Sequence, residues 1–242
     1  MVLEHRSIDV KMALMTSKVQ RTERRGDALS KQRIVEAATE ILDAEGESAL
    51  TFRALSARLA TGSGAIYWHV ADKDELLRAT TEAIVARAMA AIVGGAAPRE
   101  AIRALALGIF DAIDAHPWVG AQLSREPWQP AVGQIFESLG AQLQPLGVPA
   151  HAQFDAASAL VNYLLGAAGQ NAAAARLLPR GTDRAAFLES VTARWAQLDP
   201  TIQPFTHQVA RQLREHDDRT QFLAGIDLIL AGIELVRGED RG

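Results

Sequence analysis

The chain has no cysteine, which excludes disulfides, cysteine-liganded zinc and thiol nucleophiles and fits a reducing cytoplasm. Its six histidines (His5, His69, His116, His151, His207, His216) fall in no metal-binding spacing, and no H-E-x-x-H occurs, so neither a metal nor a cofactor is implied. Aromatic residues are scarce at 5%, while hydrophobic residues reach 48% with Ala, Leu and Ile dominant, which favours helices over a sheet. The first thirty residues hold no apolar run of useful length, so no secretion signal is expected. One stretch of twenty residues, Ala156 to Ala175, carries no charge and is about long enough to cross a bilayer. It contains Ser158, Asn162, Gln170 and Asn171 and is otherwise mostly alanine, so it reads as a buried helix rather than a membrane span. Gly62-x-Gly64 is a fragment of a phosphate loop without its third glycine or a preceding strand. His207, Glu215 and His216 are close in sequence but have no partner motif, so no catalytic residue is assigned.

What is present is unevenly charged. The formal net charge is −4, yet residues 1–33 carry eight Lys/Arg (Arg6, Lys11, Lys18, Arg21, Arg24, Arg25, Lys31, Arg33) against four acids. Residues 81–242 carry thirteen against seventeen. A positive end on an acidic body can approach phosphates while the remainder stays solvated. Residues 1–28 are polar and unpatterned and are expected to form a basic, disordered tail, with a merely solvated tail as the alternative to a phosphate contact.

Helical periodicity begins at Ser30, with Ile34, Ala37, Ala38, Ile41 and Leu42 on one face and Gly46 as a left-handed stop. Thr51 is placed to cap a second helix with apolar Phe52, Leu55 and Leu59. A turn at Thr61-Gly62 leads to a short third helix in which Ile66 and Val70 point inward. Asp72 and Glu75 form a capping box for a fourth helix running to about Val93, ended by Gly94-Gly95. Further helices are expected from Pro98 to His116-Pro117, over 131–143, over 151–178 and over 182–198, with a short piece at 118–124. Pro145, Gly147 and Pro149 read as a connection, and 199–217 as a loop with some helix. The fold class is all-α.

Two helices joined by a tight turn over Thr51–Lys73 match the layout that lays a helix into the major groove of DNA. Tyr67-Trp68-His69 at the end of the second suits a phosphate-and-base surface better than a core. A second feature lies near the C-terminus, where Phe222-Leu-Ala-Gly-Ile-Asp-Leu228 is followed by Ile229-Leu-Ala-Gly-Ile-Glu-Leu235. Seven residues make two helical turns, so Ile226 and Ile233 share a stripe beside Gly225 and Gly232. Glycines there suggest close approach of another helix, for which the alanine-rich segment with Ala159 and Gly166 is the candidate. Two such helices from each of two subunits would give a four-helix homodimer interface; packing within one chain is the alternative.

The segment from Ser30 to about Glu82 resembles the tetracycline-repressor (TetR) family of bacterial transcription regulators. The matching residues are Ile34-Val-Glu-Ala-Ala38, Glu45-Gly46, Thr51-Phe-Arg-Ala-Leu55, Leu59, Ile66-Tyr-Trp-His-Val70 and Asp72-Lys-Asp-Glu-Leu76. The resemblance implies that Thr51 caps its helix and meets a phosphate, and that Arg53 reaches a phosphate or a base. Ser63, Gly64 and Ala65 would lie nearest the base edges, Tyr67 and His69 would bond phosphates, Trp68 would pack on the groove wall, and Lys73 would hold a phosphate. The chain departs from the family in the turn, with Ala60-Thr61 where Gly then Val is common. Its recognition helix offers Ser63 as the only hydrogen-bonding side chain near the bases, so preference is expected to lean on Arg53, Ala65 and DNA shape.

The resemblance also implies a small-molecule effector bound by the later helices. Phe110, His116, Trp118, Trp128, Phe136, Asn162, Gln170 and Trp195 are the large or polar residues on otherwise aliphatic helices that could line such a pocket. The expected organisation is a tail over 1–28, a DNA-binding domain over 29–76 and an effector-binding and dimerisation domain over 77–242. The expected function is a ligand-responsive dimeric repressor of a palindromic double-stranded operator, cytoplasmic and without a membrane partner. A helical protein-interaction module and a ligand-independent architectural DNA-binding protein remain as alternatives.

Overall fold

The structure, a computed structural model, describes residues 29–90, 95–177 and 184–239. The tail over 1–28, Val93, Gly94 and the stretch around Pro179-Arg180-Gly181 lie outside the described residues. Among the described residues the regular elements are helical throughout. Two compact units divide after Leu76, Met1–Leu76 and Leu77–Gly242.

The first unit holds α1 (Lys31–Glu45), a 3-10 turn (Glu47–Ala49), α2 (Phe52–Arg58), α3 (Ser63–Tyr67) and the first turn of α4 (Lys73–Ala90). The starts of α1, α2 and α4 each have a local cause. Ser30 Oγ accepts the Arg33 N–H at 3.2 Å, and Thr51 Oγ1 accepts the Ala54 N–H at 3.1 Å, so a hydroxyl satisfies an otherwise orphaned donor at each N-cap. Asp72 Oδ1 takes the Glu75 N–H at 2.7 Å while Glu75 Oε2 takes the Ala71 N–H at 2.8 Å. Gly46 ends α1 at φ 81°, but its ψ of 178° sends the chain out extended rather than into the left-handed helical region. The stripe read from the sequence is the buried one: Ile34, Ala38, Leu55 and Ile66 are fully buried, with Ile41, Leu42, Leu50, Val70 and Leu76 nearly so. Burial of each large aliphatic side chain contributes about 1.5–3 kcal/mol, so this small core depends on every member.

The second unit continues α4 and adds α5 (Pro98–Ala115), α6 (Pro117–Arg125), α7 (Pro130–Gly140), α8 (Leu143–Leu146), α9 (Ala150–Leu177), α10 (Arg184–Ala196), α11 (Pro204–Val209), a 3-10 stretch (Ala210–Glu215) and α12 (Asp218–Glu239). Proline opens α5, α6, α7 and α11 at a first-turn position, where its missing N–H costs nothing. The expected single helix over 131–143 is two, because the chain breaks at Ala141-Gln142 and α8 then takes up Pro145. Gly147, at φ 90°, closes that short helix. Helix α9 is the axis of the unit, packing against α5, α6, α7, α8 and α12. Leu160 and Leu164 of α9 are fully buried, as are Ile102 and Ala106 of α5, Val119 of α6, Ile135 and Leu139 of α7 and Ile226 and Leu230 of α12.

Candidate nucleic-acid interface

Helix α3 divides its residues between two environments. Ile66 and, just beyond, Val70 are buried at 0% and 1% exposure, while Tyr67 is 55% and Trp68 90% exposed. Backbone bonds from His69 N and Val70 N to Ile66 O, at 2.9 and 3.1 Å, close the turn that separates them. Ser63 and Gly64 lie exposed at the start of α3, Ala65 is half-buried, and Thr51 and Arg53 are exposed at the start of α2. Arg53 forms no ion pair among the described residues. His69 is half-buried. These residues offer hydroxyls, a cation, helix N-termini and open aromatic faces, the groups that meet phosphate oxygens and groove walls.

Two placements could not be read from the pattern. Lys73 is half-buried, and its Nζ donates to the Glu47 carbonyl at 2.7 Å, tying α4 to the 3-10 turn. It therefore supports the head as well as offering charge. The second is Phe52, whose ring stacks on Tyr67 with centroids 4.3 Å apart and planes 5° apart. Fifteen residues separate them, and the sequence carries no signal for the pairing beyond the aromatic type at each position. In the turn, Ala60 adopts φ 50°, the left-handed region that glycine tolerates best. Ion pairs brace the head from outside: Arg58 Nε to Glu40 Oε2 at 2.7 Å and Lys31 Nζ to Glu75 Oε1 at 3.2 Å. The Ala71 N–H, and then Lys31, hold the Glu75 carboxyl below its ordinary value.

The eight residues considered for effector contact are not brought into one pocket. Phe110 is buried against Phe222, ring centroids 4.5 Å apart, and Trp118 is buried with its ring 6.2 Å from that of half-buried His116. Phe136 is half-buried beside Phe154, Trp195 is half-buried on α10, and Trp128 is 97% exposed. Open clefts lie among the described residues of the second unit, two of them lined by residues considered above. One, of about 290 Å³, runs between α4 and α5 and reaches His116 and Arg87, which forms no ion pair among the described residues. The other, of about 380 Å³, runs between α6 and α9 and includes Gly120, Ser124, Gly166 and Gln170. Asn162 is exposed on α9 and lines neither.

The repeat helix packs within its own chain at three of its candidate interface positions. Ile226 and Ile233, read as interface residues, are buried at 0% and 7% inside their own chain, and the space beside Gly225 is filled by Tyr163 of α9. Close approach is real there, but it is intramolecular. Ala159, Gly166 and Gly232 are exposed, and with Gly232 lie Leu228 and Leu235 at 75% and 73% exposure. Those two leucines are also seven residues apart, so the same repeat that drew attention to the isoleucines contains them. Among the described residues no helix is long and apolar enough to cross a membrane.

A helix-turn-helix head joined to an all-helical second unit defines a DNA-binding transcriptional regulator. Residues 34–80 match the model for bacterial regulatory proteins of the tetR family, and residues 96–237 match that of the tetracyclin repressor-like C-terminal domain. The chain belongs to the TetR family. It is 52% identical to SCO7222, a TetR transcriptional regulator from Streptomyces coelicolor, whose structure covers 87% of this chain and 100% of its own with a TM-score of 0.80. An HTH-type transcriptional regulator of Saccharopolyspora erythraea is 28% identical over 207 residues, 85% of this chain and 87% of that protein. The HTH-type transcriptional repressor DrrR1 of Streptomyces coeruleorubidus is 28% identical over 222 residues, 88% and 80% of the two chains.

Proposed function

We propose that the protein is a homodimeric, cytoplasmic repressor that binds a palindromic operator and is released by a small molecule held in its second unit. The observation that carries the DNA-binding part is the split on α3, where Ile66 is fully buried and its neighbours Tyr67 and Trp68 face solvent. A tryptophan at 90% exposure does no work in a core, and Thr51, Arg53 and Ser63 at the starts of the same two helices are exposed as well. In this reading Thr51, Tyr67, His69 and Lys73 grip phosphates, Trp68 packs on the groove wall, and Ser63, Gly64, Ala65 and Arg53 approach base edges. Two copies pair through the exposed stripes of α9 (Ala159, Gly166) and α12 (Leu228, Gly232, Leu235). That pairing sets the two recognition helices about 34–36 Å apart, one turn of the duplex.

The effector shifts the population toward a spacing that no longer fits successive grooves, and it does so only by its differential affinity for that state. The α4–α5 and α6–α9 clefts are the places for it, with His116 and Gln170 as polar contacts. Repression is supported by the likeness to DrrR1. No catalytic role is assigned.

The test is selection of duplexes from a randomised pool by the purified protein, followed by binding measurements across salt. Recovery of an inverted repeat is expected, with affinity falling about 1000-fold between 50 and 200 mM salt for some six phosphate contacts per dimer. A protein that recovers no duplex, or light scattering that finds a monomer at micromolar concentration, overturns the reading.

A further inference from the structure

We infer that Phe52 is a positioning residue for DNA binding, acting through Tyr67 by holding the phenol ring so that its hydroxyl is aimed before DNA arrives. The inference rests on the DNA-binding reading above and adds a residue to which that reading gives no role.

Phe52 opens α2 and Tyr67 closes α3, so their stack bridges the two helices of the motif at its exposed surface. The rings lie 4.3 Å apart and 5° from parallel, an aromatic contact that fixes the phenol plane. Both ends are anchored independently. Thr51, capping α2 through the Ala54 N–H, fixes the backbone at Phe52, and fully buried Ile66 fixes the backbone at Tyr67. Tyrosine has two side-chain torsions that matter, and a ring held between fixed neighbours keeps little freedom in either. Tyr67 remains 55% exposed despite the stack. The phenol thus presents its only polar atom from a ring that is already ordered.

Trp68 supplies the internal contrast. It is 90% exposed and stacks on no ring among the described residues. Any contact it makes with DNA must be formed at the expense of its own rotamer freedom, whereas Tyr67 has given up that freedom on folding. Preorganisation of this kind strengthens binding by lowering the ordering cost at association, without adding a contact to the partner. Phe52 needs to touch no phosphate to matter.

A double-mutant cycle tests this, using a duplex recovered by the wild-type protein from a random pool. Phe52→Leu keeps apolar bulk but removes the flat ring, and Tyr67→Phe keeps the stack but removes the hydroxyl. Each alone is expected to weaken binding about 2- to 10-fold. Phe52→Leu in the Tyr67→Phe background is expected to cost nothing further, because the hydroxyl it would aim is gone. Phe52→Tyr, which keeps the stack, is expected to bind like wild type. Equal losses from Phe52→Leu in both backgrounds would mark a purely structural role and overturn the inference, as would a Phe52→Leu protein with unchanged thermal unfolding and unchanged affinity. A second readout is independent of DNA. The Tyr67 ring protons should carry an upfield ring-current shift in the NMR spectrum that Phe52→Leu abolishes, and its absence from the wild type also overturns the inference. Failure to recover any duplex overturns the DNA-binding reading itself. A recovered duplex with additive losses overturns this inference alone.

Discussion

Tyr163 of α9 occupies the space that a side chain at Gly225 of α12 would fill, and its hydroxyl donates to the Phe222 carbonyl at 3.2 Å. A Cβ at Gly225 would run into the phenol ring, which is itself stacked against Phe222 with centroids 5.6 Å apart. Burial pushes the Tyr163 phenol above its ordinary value, in keeping with a ring packed between helices.

The two glycines of the repeat should therefore respond oppositely. Gly225→Ala must displace Tyr163 and break its hydrogen bond, an overpacking cost of about 1–3 kcal/mol in chemical denaturation. Gly232, where no atom of its own chain stands within 4 Å of a Cβ, should gain up to about 1 kcal/mol of helix propensity as alanine in the separated subunit. Equal effects at the two sites would contradict the packing described.

Ala60 offers a stabilising change. Its φ of 50° costs an L-residue about 1–2 kcal/mol, partly offset in glycine by the freedom glycine has when unfolded. Ala60→Gly is expected to stabilise the head by about 0.5–1 kcal/mol, read as a higher denaturation midpoint. A lower midpoint would mean that the turn does not hold this conformation.

Acid should act through Asp227. This carboxyl accepts from Arg103 and lies 3.5 Å from Arg99, whose other nitrogen reaches Glu234 at 2.6 Å. The Arg103 hydrogen bond, followed by the charges of Arg103 and Arg99, holds Asp227 below its ordinary value. A depressed carboxyl stabilises the fold above its unfolded pKa of about 3.9 and loses that contribution as pH falls through the lower folded value. Asp227→Asn is expected to lose about 0.2–1 kcal/mol at pH 7, a partly exposed network being screened by solvent. The gap from wild type should close only below about pH 4. A gap that stays constant down to acid unfolding would assign the loss to packing instead.

Base preference should rest on Arg53 more than on Ser63. Protein-binding arrays are expected to show a changed preference for Arg53→Ala and little change for Ser63→Ala, with a lost bidentate base contact worth about 1–3 kcal/mol. The reverse pattern would place sequence reading on α3.

Local chemistry accounts for what the sequence made legible. Thr51 and Asp72 cap because a short polar side chain before an apolar stripe has one obvious donor to satisfy, and Pro98 opens a helix for an equally local reason. Pro117 and Pro130 read from the sequence as a break and a turn, and each proves to be the first residue of a helix, because the ring that ends one helix is also tolerated in the first turn of the next. Periodicity identified the buried face of α1 and also the stripe of Ile226 and Ile233. It says that a stripe is covered, not by which chain, and so it leaves both an intramolecular and an intersubunit partner open for those isoleucines. Partners distant in sequence escaped the same reasoning: Lys73 with the Glu47 carbonyl, and Phe52 with Tyr67, are set by how helices cross. The helix at Pro204–Val209 was blurred because its apolar residues, among them the exposed Phe205, follow no single face.

A helix that repeats itself carries an ambiguity of register. Sliding α12 by one repeat, about 10 Å along its axis, would offer its neighbours nearly the same sequence of leucine, alanine, glycine and isoleucine. Two residues without a counterpart remove the degeneracy. Phe222, answered by Ile229 in the second repeat, is the only one of that pair with a ring to stack on Phe110 and Tyr163. Arg219 grips Asp111 through two bonds of 3.0 and 3.1 Å, and seven residues on stands Ile226, which cannot. The slipped helix would trade an aromatic cluster and a forked ion pair for nothing in return, and so one aromatic ring and one guanidinium index a helix whose remaining residues do not.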